Sequence, residues 1–294
     1  MRSHPADYEL VTPGSLDAVL GLLYDEPGEW TPIAGGTEIM VLYGAGKLAA
    51  RKLVSVSLPE LREITEDEGR IVIGGACSFT QIRRHRGIEK HFPLLSKCAS
   101  WTGGIANQNR GTIGGNLANA SPAADTPPAL FAYGAELELI SARGARRIPY
   151  EQFHLGYKRT ALAPDELIGA VVLPKRFEGA LRYVRKVGTR NAQAISKICV
   201  AATASVDHGR VGQIRIGMGS VAPVPLRLNA TERILTGAAL NDATIMEARR
   251  ALASETAPID DIRSTTAYRT LVAGNLLEEM LRTFKEASGA GASR

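Results

Sequence analysis

Pro32-Ile33-Ala34-Gly35-Gly36-Thr37-Glu38-Ile39 and Arg110-Gly111-Thr112-Ile113-Gly114-Gly115-Asn116-Leu117 decide how this chain is read. Each sets a glycine pair beside hydroxyl or amide side chains where the chain turns from extended to helical pattern. A glycine pair carries no Cβ, so its backbone N–H groups come close to an anion. Thr37 adds a hydroxyl donor, and a following helix start presents the positive end of its dipole. The second stretch continues as Asn119-Ala120-Ser121-Pro122-Ala123-Ala124-Asp125, which offers the Asp125 carboxylate to sugar-like hydroxyls. One such pair is most often a tight turn. Two of them, far apart in the chain, suit a ligand with two phosphates clasped from both sides.

Outward from these stretches, the composition is that of a folded chain. The 294 residues allow two domains at ~150 residues each. A 45% hydrophobic and 22% charged content excludes wholesale disorder. The net charge of +5 is dispersed, too mild a signal for nucleic acid. No run reaches the ~18–20 apolar residues of a membrane span, and Met1 to Asp7 lacks a signal-peptide core, so a cytoplasmic protein is expected. Cys77, Cys98 and Cys199 are few, odd in number and scattered, which fits a reducing compartment. No C-x-x-C, H-E-x-x-H or G-x-S-x-G occurs, so metal and hydrolytic chemistry are disfavoured, and a bound organic cofactor is expected to supply any chemistry.

Ser15 caps a helix with Leu16, Val19, Leu20 and Leu23 on one face. A helix is expected to open at Thr37 and run through Tyr43, with strands at 53–56 and 70–73 and helical patterns over 79–91 and 93–101. Residues 103–128 are glycine- and alanine-rich and give no periodic signal. Strands resume at 136–140 and 167–173, and composition shifts after Pro174-Lys175-Arg176. Runs 181–187 and 195–206, the turn Asp207-His208-Gly209-Arg210 and the alternation from Val211 to Ile216 predict an antiparallel sheet of hairpins. Helices follow over 231–236, 242–255 and 264–287, the last with Leu271, Leu277 and Leu281 at roughly helical spacing. The fold class is α+β with a boundary near residue 176.

Two other glycine patterns are set aside. Gly44-Ala45-Gly46-Lys47-Leu48-Ala49 matches a dinucleotide fingerprint, but a helix precedes it and a strand follows, so it reads as a helix end and loop. Gly217-Met218-Gly219-Ser220-Val221-Ala222 follows a strand, yet Pro223 and Pro225 forbid the helix such a fingerprint needs.

The retained motifs, Ala34-Gly35-Gly36-Thr37-Glu38 and Thr112-Ile113-Gly114-Gly115-Asn116 with Ser121-Pro122-x-x-Asp125, resemble those of the FAD-binding medium subunits of molybdenum hydroxylases (xanthine dehydrogenase, aldehyde oxidoreductase and carbon monoxide dehydrogenase type). Pro164-Asp165-Glu166-Leu167-Ile168 to Pro174 resembles the end of that family's flavin domain. Tyr183-x-x-Lys186-x-x-x-Arg190 and Gly217-x-Gly-Ser-Val-Ala222-Pro223 resemble its C-terminal domain, so the likeness covers nearly the whole chain.

The resemblance implies a two-subdomain FAD-binding domain of the PCMH type at 1–176 (subdomains about 1–58 and 59–176). A CO dehydrogenase flavoprotein-like domain at 177–287 and a frayed tail at 288–294 complete it. It further implies non-covalent FAD held by Ile33, Ala34, Gly35, Gly36, Thr37, Glu38 and Ile39 on one side of the pyrophosphate, and by Thr112, Ile113, Gly114, Gly115 and Asn116 on the other. Thr102, Asp125 and Ile168 are implied as further contacts, with Lys186 near the flavin ring and Ile195 over it. No catalytic or metal-binding residue is implied here. The molybdenum cofactor and 2Fe–2S clusters belong to a large and a small partner subunit of a heterotrimer, and NAD, oxygen or a quinone takes the electrons. Two departures stand out: Ala194 where the family commonly has Asp, and Gln108 where it often has a basic residue.

Two other functions remain open at this point. A self-contained FAD-dependent reductase or oxidase, similar to the enolpyruvyl-glucosamine reductases, needs its own proton donor, with His154, Tyr157 and Ser196 as candidates. A scaffold that has lost its cofactor is the third reading, and the two intact glycine motifs speak against it. Gly35→Val and Gly115→Val are both expected to release flavin from a chain that still folds.

Overall fold

In the computed structural model, residues 4–190 and 193–290 are described. The first elements are β1 (Glu9–Val11), α1 (Leu16–Asp25), β2 (Trp30–Ile33), α2 (Ile39–Gly44) and β3 (Lys52–Ser55). Ser15 Oγ accepts the Ala18 N–H and caps α1, whose Val19, Leu20 and Leu23 are buried as the spacing requires. The three strands form a parallel sheet in the order β1-β3-β2. The first glycine pair therefore leaves the end of an edge strand, and α2 begins at Ile39, two residues later than expected from Thr37.

Next come β4 (Ile64–Glu66), β5 (Arg70–Gly74), α3 (Phe79–Arg84), α4 (Arg86–His91) and α5 (Pro93–Trp101). The helix expected over 79–91 is two helices. His85 is extended (ψ 118°), and its Nδ1 accepts the Ile88 N–H, restarting the helix one residue after the break. The stretch 103–128, silent in periodicity, holds α6 (Ile105–Arg110), α7 (Ile113–Ala118) and the start of α8 (Pro127–Tyr133). Helices of six residues are too short to write an amphipathic repeat into sequence. β6 (Glu136–Ser141), β7 (Gly144–Pro149), β8 (His154–Gly156), β9 (Arg159–Thr160) and β10 (Leu167–Pro174) follow. The sheet order β4-β5-β10-β6-β7 makes β10 central, and all of it but Pro174 is buried. Its register against β6 slips between Ile168 and Ala170, a bulge beside the site described below.

The remaining elements are β11 (Leu181–Val187), β12 (Ile198–Asp207), β13 (Arg210–Gly219), β14 (Leu226–Arg227), α9 (Asn229–Leu235), α10 (Asp242–Glu255) and α11 (Thr266–Ala290). The predicted hairpin is present: His208 (φ 45°) and Gly209 (φ 74°) turn β12 into β13, the two left-handed residues a tight hairpin requires. β12 begins at Ile198, so Ile195 precedes the strand and is 52% exposed rather than part of its core. α11 continues through Ala290 instead of fraying at 288, while residues 291–294 lie outside the described part. Leu277, Leu281 and Phe284 pack its buried face, whereas Leu271 is exposed.

The C-terminal sheet is fastened to the segment before and within α8. Ser220 N–H donates to the Pro122 carbonyl (2.8 Å), and Thr203 Oγ1 to the Ala132 carbonyl (2.8 Å). A Cβ on Gly217 would lie 2.4 Å from the Pro128 carbonyl oxygen. Gly217 is thus a packing glycine that lets β13 lie on α8.

Candidate functional site

The two glycine motifs meet backbone to backbone. A Cβ at Gly35 would sit 1.8 Å from the Arg110 carbonyl oxygen and 3.0 Å from the Gly111 nitrogen. Gly35 is therefore required by its own chain before any ligand arrives. Gly36 is required by conformation, with φ 73°, a region L-residues enter at a cost of ~1–2 kcal/mol. Both glycines are half-buried and Thr37 and Glu38 are exposed, so the turn after β2 has an open side.

The second motif is seated more deeply. Thr112 caps α7, its Oγ1 accepting the Gly115 N–H (3.2 Å). The Gly114 N–H donates to the Gly75 carbonyl (2.8 Å), and a Cβ there would lie 2.6 Å from the same oxygen. Gly75 in turn donates to the Gly169 carbonyl (2.8 Å), and its own Cβ would meet the Ile168 carbonyl oxygen at 2.0 Å. The β10 bulge presents that carbonyl. Ile113 and Gly114 are buried and Gly115 is exposed, so Gly115 is the member of the pair that faces outward. Gly74-Gly75, another glycine pair of the sequence, is the seat on which the second motif rests.

Asp125, Lys186, Thr102 and Ile195 gather beside this seat. The Asp125 carboxylate accepts from Lys186 Nζ (2.7 Å) and Ser196 Oγ (2.6 Å). Lys186 also donates to the Trp101 carbonyl (3.2 Å), next to Thr102, which ends α5. Both members of the ion pair have side chains 9% exposed. Burial pushes the Asp125 carboxyl above its usual range, and Lys186 and then Ser196 pull against that rise. Asn116 Oδ1 accepts from Thr126 Oγ1 (2.7 Å), which ties the second cradle to the residue after Asp125. Ile195 stands exposed directly before Ser196. Of the residues implied by the family resemblance, Gly114 and Ile168 thus meet at Gly75, Lys186 meets Asp125, and Asn116 links the two groups through Thr126.

Gln108, one of the two departures, is buried. It accepts from Arg83 (2.6 Å) and donates to the Ser100 (2.9 Å) and Gly103 (3.3 Å) carbonyls, clamping the turn after α5. The other departure, Ala194, lies against Gly188, whose added Cβ would come 3.3 Å from the Ala194 Cβ. The proton-donor candidates do not form a common centre. Burial holds His154 down at about 4, so it is neutral at pH 7, and its Nε2 pairs with the Tyr150 hydroxyl. Tyr157 is exposed, and the Ser196 hydroxyl is engaged by Asp125. Among the described residues no group of three His, Cys, Asp or Glu could hold a metal ion, and no helix is long and apolar enough to cross a membrane.

Two remote glycine segments packed backbone to backbone in a mixed helix-and-sheet fold are the architecture of a cofactor-binding protein. Comparison with known proteins makes this specific. Residues 6–176 match the family of the FAD-binding domain in molybdopterin dehydrogenase, and residues 159–284 match the CO dehydrogenase flavoprotein C-terminal domain. The chain belongs to this family and is a flavoprotein oxidoreductase subunit by class. It is 30% identical over 280 residues to the xanthine dehydrogenase FAD-binding subunit of Escherichia coli O157:H7, covering 94% of this chain and 95% of that one. It is 26% identical over 278 residues to the carbon monoxide dehydrogenase medium chain of Hydrogenophaga pseudoflava, covering 94% and 96%. A chain of the carbon monoxide dehydrogenase structure from that organism superposes with a TM-score of 0.90 at 27% identity, covering 95% and 97%.

Proposed function

We propose that this chain is the electron-transfer FAD subunit of a molybdenum hydroxylase complex, taking electrons from 2Fe–2S clusters of a small partner and passing them to NAD, oxygen or a quinone. A large molybdopterin-binding partner would carry substrate oxidation. The observation that supports the reading is the backbone contact between Gly35 and Arg110–Gly111, which brings the two remote motifs side by side.

The residues fit FAD. Ile33 to Ile39 would hold one side of the diphosphate and Thr112 to Asn116 the other, with Gly36 and Gly115 placing no side chain between the backbone and the phosphates. Ile168 would contribute through the backbone that the β10 bulge presents. Bound FAD supplies two-electron storage that one-electron clusters can fill stepwise. The chain's own part is placement. Asp125 and Ser196 fix Lys186 against the Trp101 carbonyl, Thr102 closes the same turn, and Ile195 shields the flavin from water. No side chain need transfer a proton for electrons to arrive. The accompanying division is a FAD-binding domain at 1–176 (subdomains about 1–58 and 59–176) and a second domain at 177–287. Three free, buried cysteines support a reducing, cytoplasmic setting.

Purified alone, the chain should carry about one FAD and show no turnover with NADH or with an aldehyde or purine. Adding a reduced iron–sulfur partner should bleach the flavin. Gly115→Val should lose FAD from a chain that still folds, because that glycine is exposed and its Cβ would meet only the Thr112 hydroxyl, at 2.9 Å. Independent turnover, or full FAD in the Gly115→Val variant, contradicts the proposal.

A further inference from the structure

Four arginines converge on a cavity of about 660 Å³ remote from the flavin cradles. Arg176, Arg215, Arg227 and Arg233 line it, together with Phe177 and Glu232. Its distance from the cradles follows from strand register. Lys186 stands opposite Cys199 on β12, whereas Arg215 stands opposite Thr203, four residues and about 14 Å further along the same strand.

The charges do not cancel. Arg227 occupies two of the carboxylates, donating through Nε and Nη2 to Glu232 and through Nη1 to Glu151 (2.7 Å). Arg215 is left with the Phe131 carbonyl (2.9 Å) and a 4.0 Å approach to Glu151. Arg176 has the Gly134 carbonyl (3.3 Å) and lies over the Phe177 ring. Arg233 is exposed with no hydrogen bond or ion pair to any described residue. Four guanidinium charges against Glu232, Glu151 and Glu136, which lines the adjoining cavity with Arg176 and Arg215, leave an excess of one. The first two arginines are also pressed together: a Cβ on Gly134 would lie 2.7 Å from Arg176 Nη2 and 3.2 Å from Arg215 Cζ. Burial and then Arg227 lower the pKa of Arg215, as expected of a cation short of counter-charge.

The carbonyls of Phe131 and Gly134 at the end of α8 account for one donor of each of two arginines. They do not account for the remaining guanidinium edges or for Arg233. Guanidinium forks fit phosphoryl oxygens in pairs, and the volume lies within the ~300–1,000 Å³ of small-molecule sites. We propose that this cavity binds a small phosphorylated metabolite, its dianionic phosphoryl group between Arg176, Arg215 and Arg233 and its organic body against Phe177 and Ile214. Nothing in this site touches the flavin cradles, so it is a second ligand site on the subunit.

The test is thermal unfolding of the FAD-loaded chain in inorganic pyrophosphate, with succinate and sodium chloride at matched ionic strength as controls. Pyrophosphate should raise the midpoint saturably while flavin absorbance stays constant. The Arg176→Gln/Arg233→Gln double variant changes two exposed side chains and keeps the Arg215 contact to α8, so it should fold. Its apparent affinity should be at least about tenfold weaker. The proposal is overturned if there is no saturable rise, if the double variant responds like the parent, or if succinate does as well as pyrophosphate. Displacement of flavin overturns it too, by placing the anion in the glycine cradles. Binding that vanishes in the assembled complex also overturns it, because an acidic segment of a partner then fills the cavity.

Discussion

The two glycine pairs share a sequence signature and differ in physics. In the first, Gly35 is demanded by a neighbouring carbonyl and Gly36 by its left-handed backbone, and both sit half-buried after an edge strand. In the second, Gly114 is locked against Gly75, while Gly115 meets only the Thr112 hydroxyl that caps its helix and is exposed. Of the four glycines, three are thus required by the fold itself, and Gly115 is the exposed one. This corrects the expectation that Gly35→Val would release flavin from an intact fold: the new Cβ strikes Arg110 before it meets any phosphate.

The sharpest way to break this comparison is Gly114→Ala. Its Cβ meets fixed backbone, so the apo protein should lose at least the ~1–3 kcal/mol of overpacking, read as a lower unfolding midpoint without FAD present. An unchanged apo midpoint would mean that Gly114 is ligand-facing like its neighbour. Lys186→Met comes next, because it leaves Asp125 buried beside Ser196 alone, a loss on the order of 3 kcal/mol at neutral pH. The sign with pH follows from Asp125. Its folded pKa is raised, so its protonated form is favoured on folding, and stability is lost as pH rises through the folded value. Removing Lys186 lifts that value further. The deficit of the variant should therefore widen as pH rises from the acid range, where Asp125 is protonated in both proteins, through the folded value of the parent in denaturant titrations.

A smaller effect is expected at Gly36→Ala. There is room for the methyl group, with Met40 Cγ at 3.5 Å, but φ 73° costs it ~1–2 kcal/mol, so stability falls modestly. The smallest is Gly44→Val, at the end of α2 with nothing within 4 Å of its Cβ. Stability should stay within ~0.5 kcal/mol and FAD content should be unchanged. A flavin defect there would revive the fingerprint reading of Gly44-Ala45-Gly46.

What the sequence made legible was local. Ser15 and the 3–4 spacing after it specify α1, and His208-Gly209 specifies a hairpin through turn chemistry that needs no partner. What it hid was contact between remote backbones. Gly74-Gly75 looks like any turn until Ile168 and Gly114 are brought onto it, 93 and 39 residues away. The partners of Asp125 are equally remote, Lys186 at 61 positions and Ser196 at 71. The first contacts are set by β10 pairing with β5, and those of Asp125 by the packing of the C-terminal sheet on α8, tertiary facts with no periodic trace. The arginine cavity escaped for the same reason, since its four cations are drawn from residue 176 and from 215 to 233.

A crystal structure of the FAD-loaded chain tests the joined-cradle claim most directly. The diphosphate should lie within ~3.2 Å of backbone nitrogens from both the 35–37 turn and the 112–116 segment. Density for it against only one of those segments, or in the arginine cavity, would contradict the account.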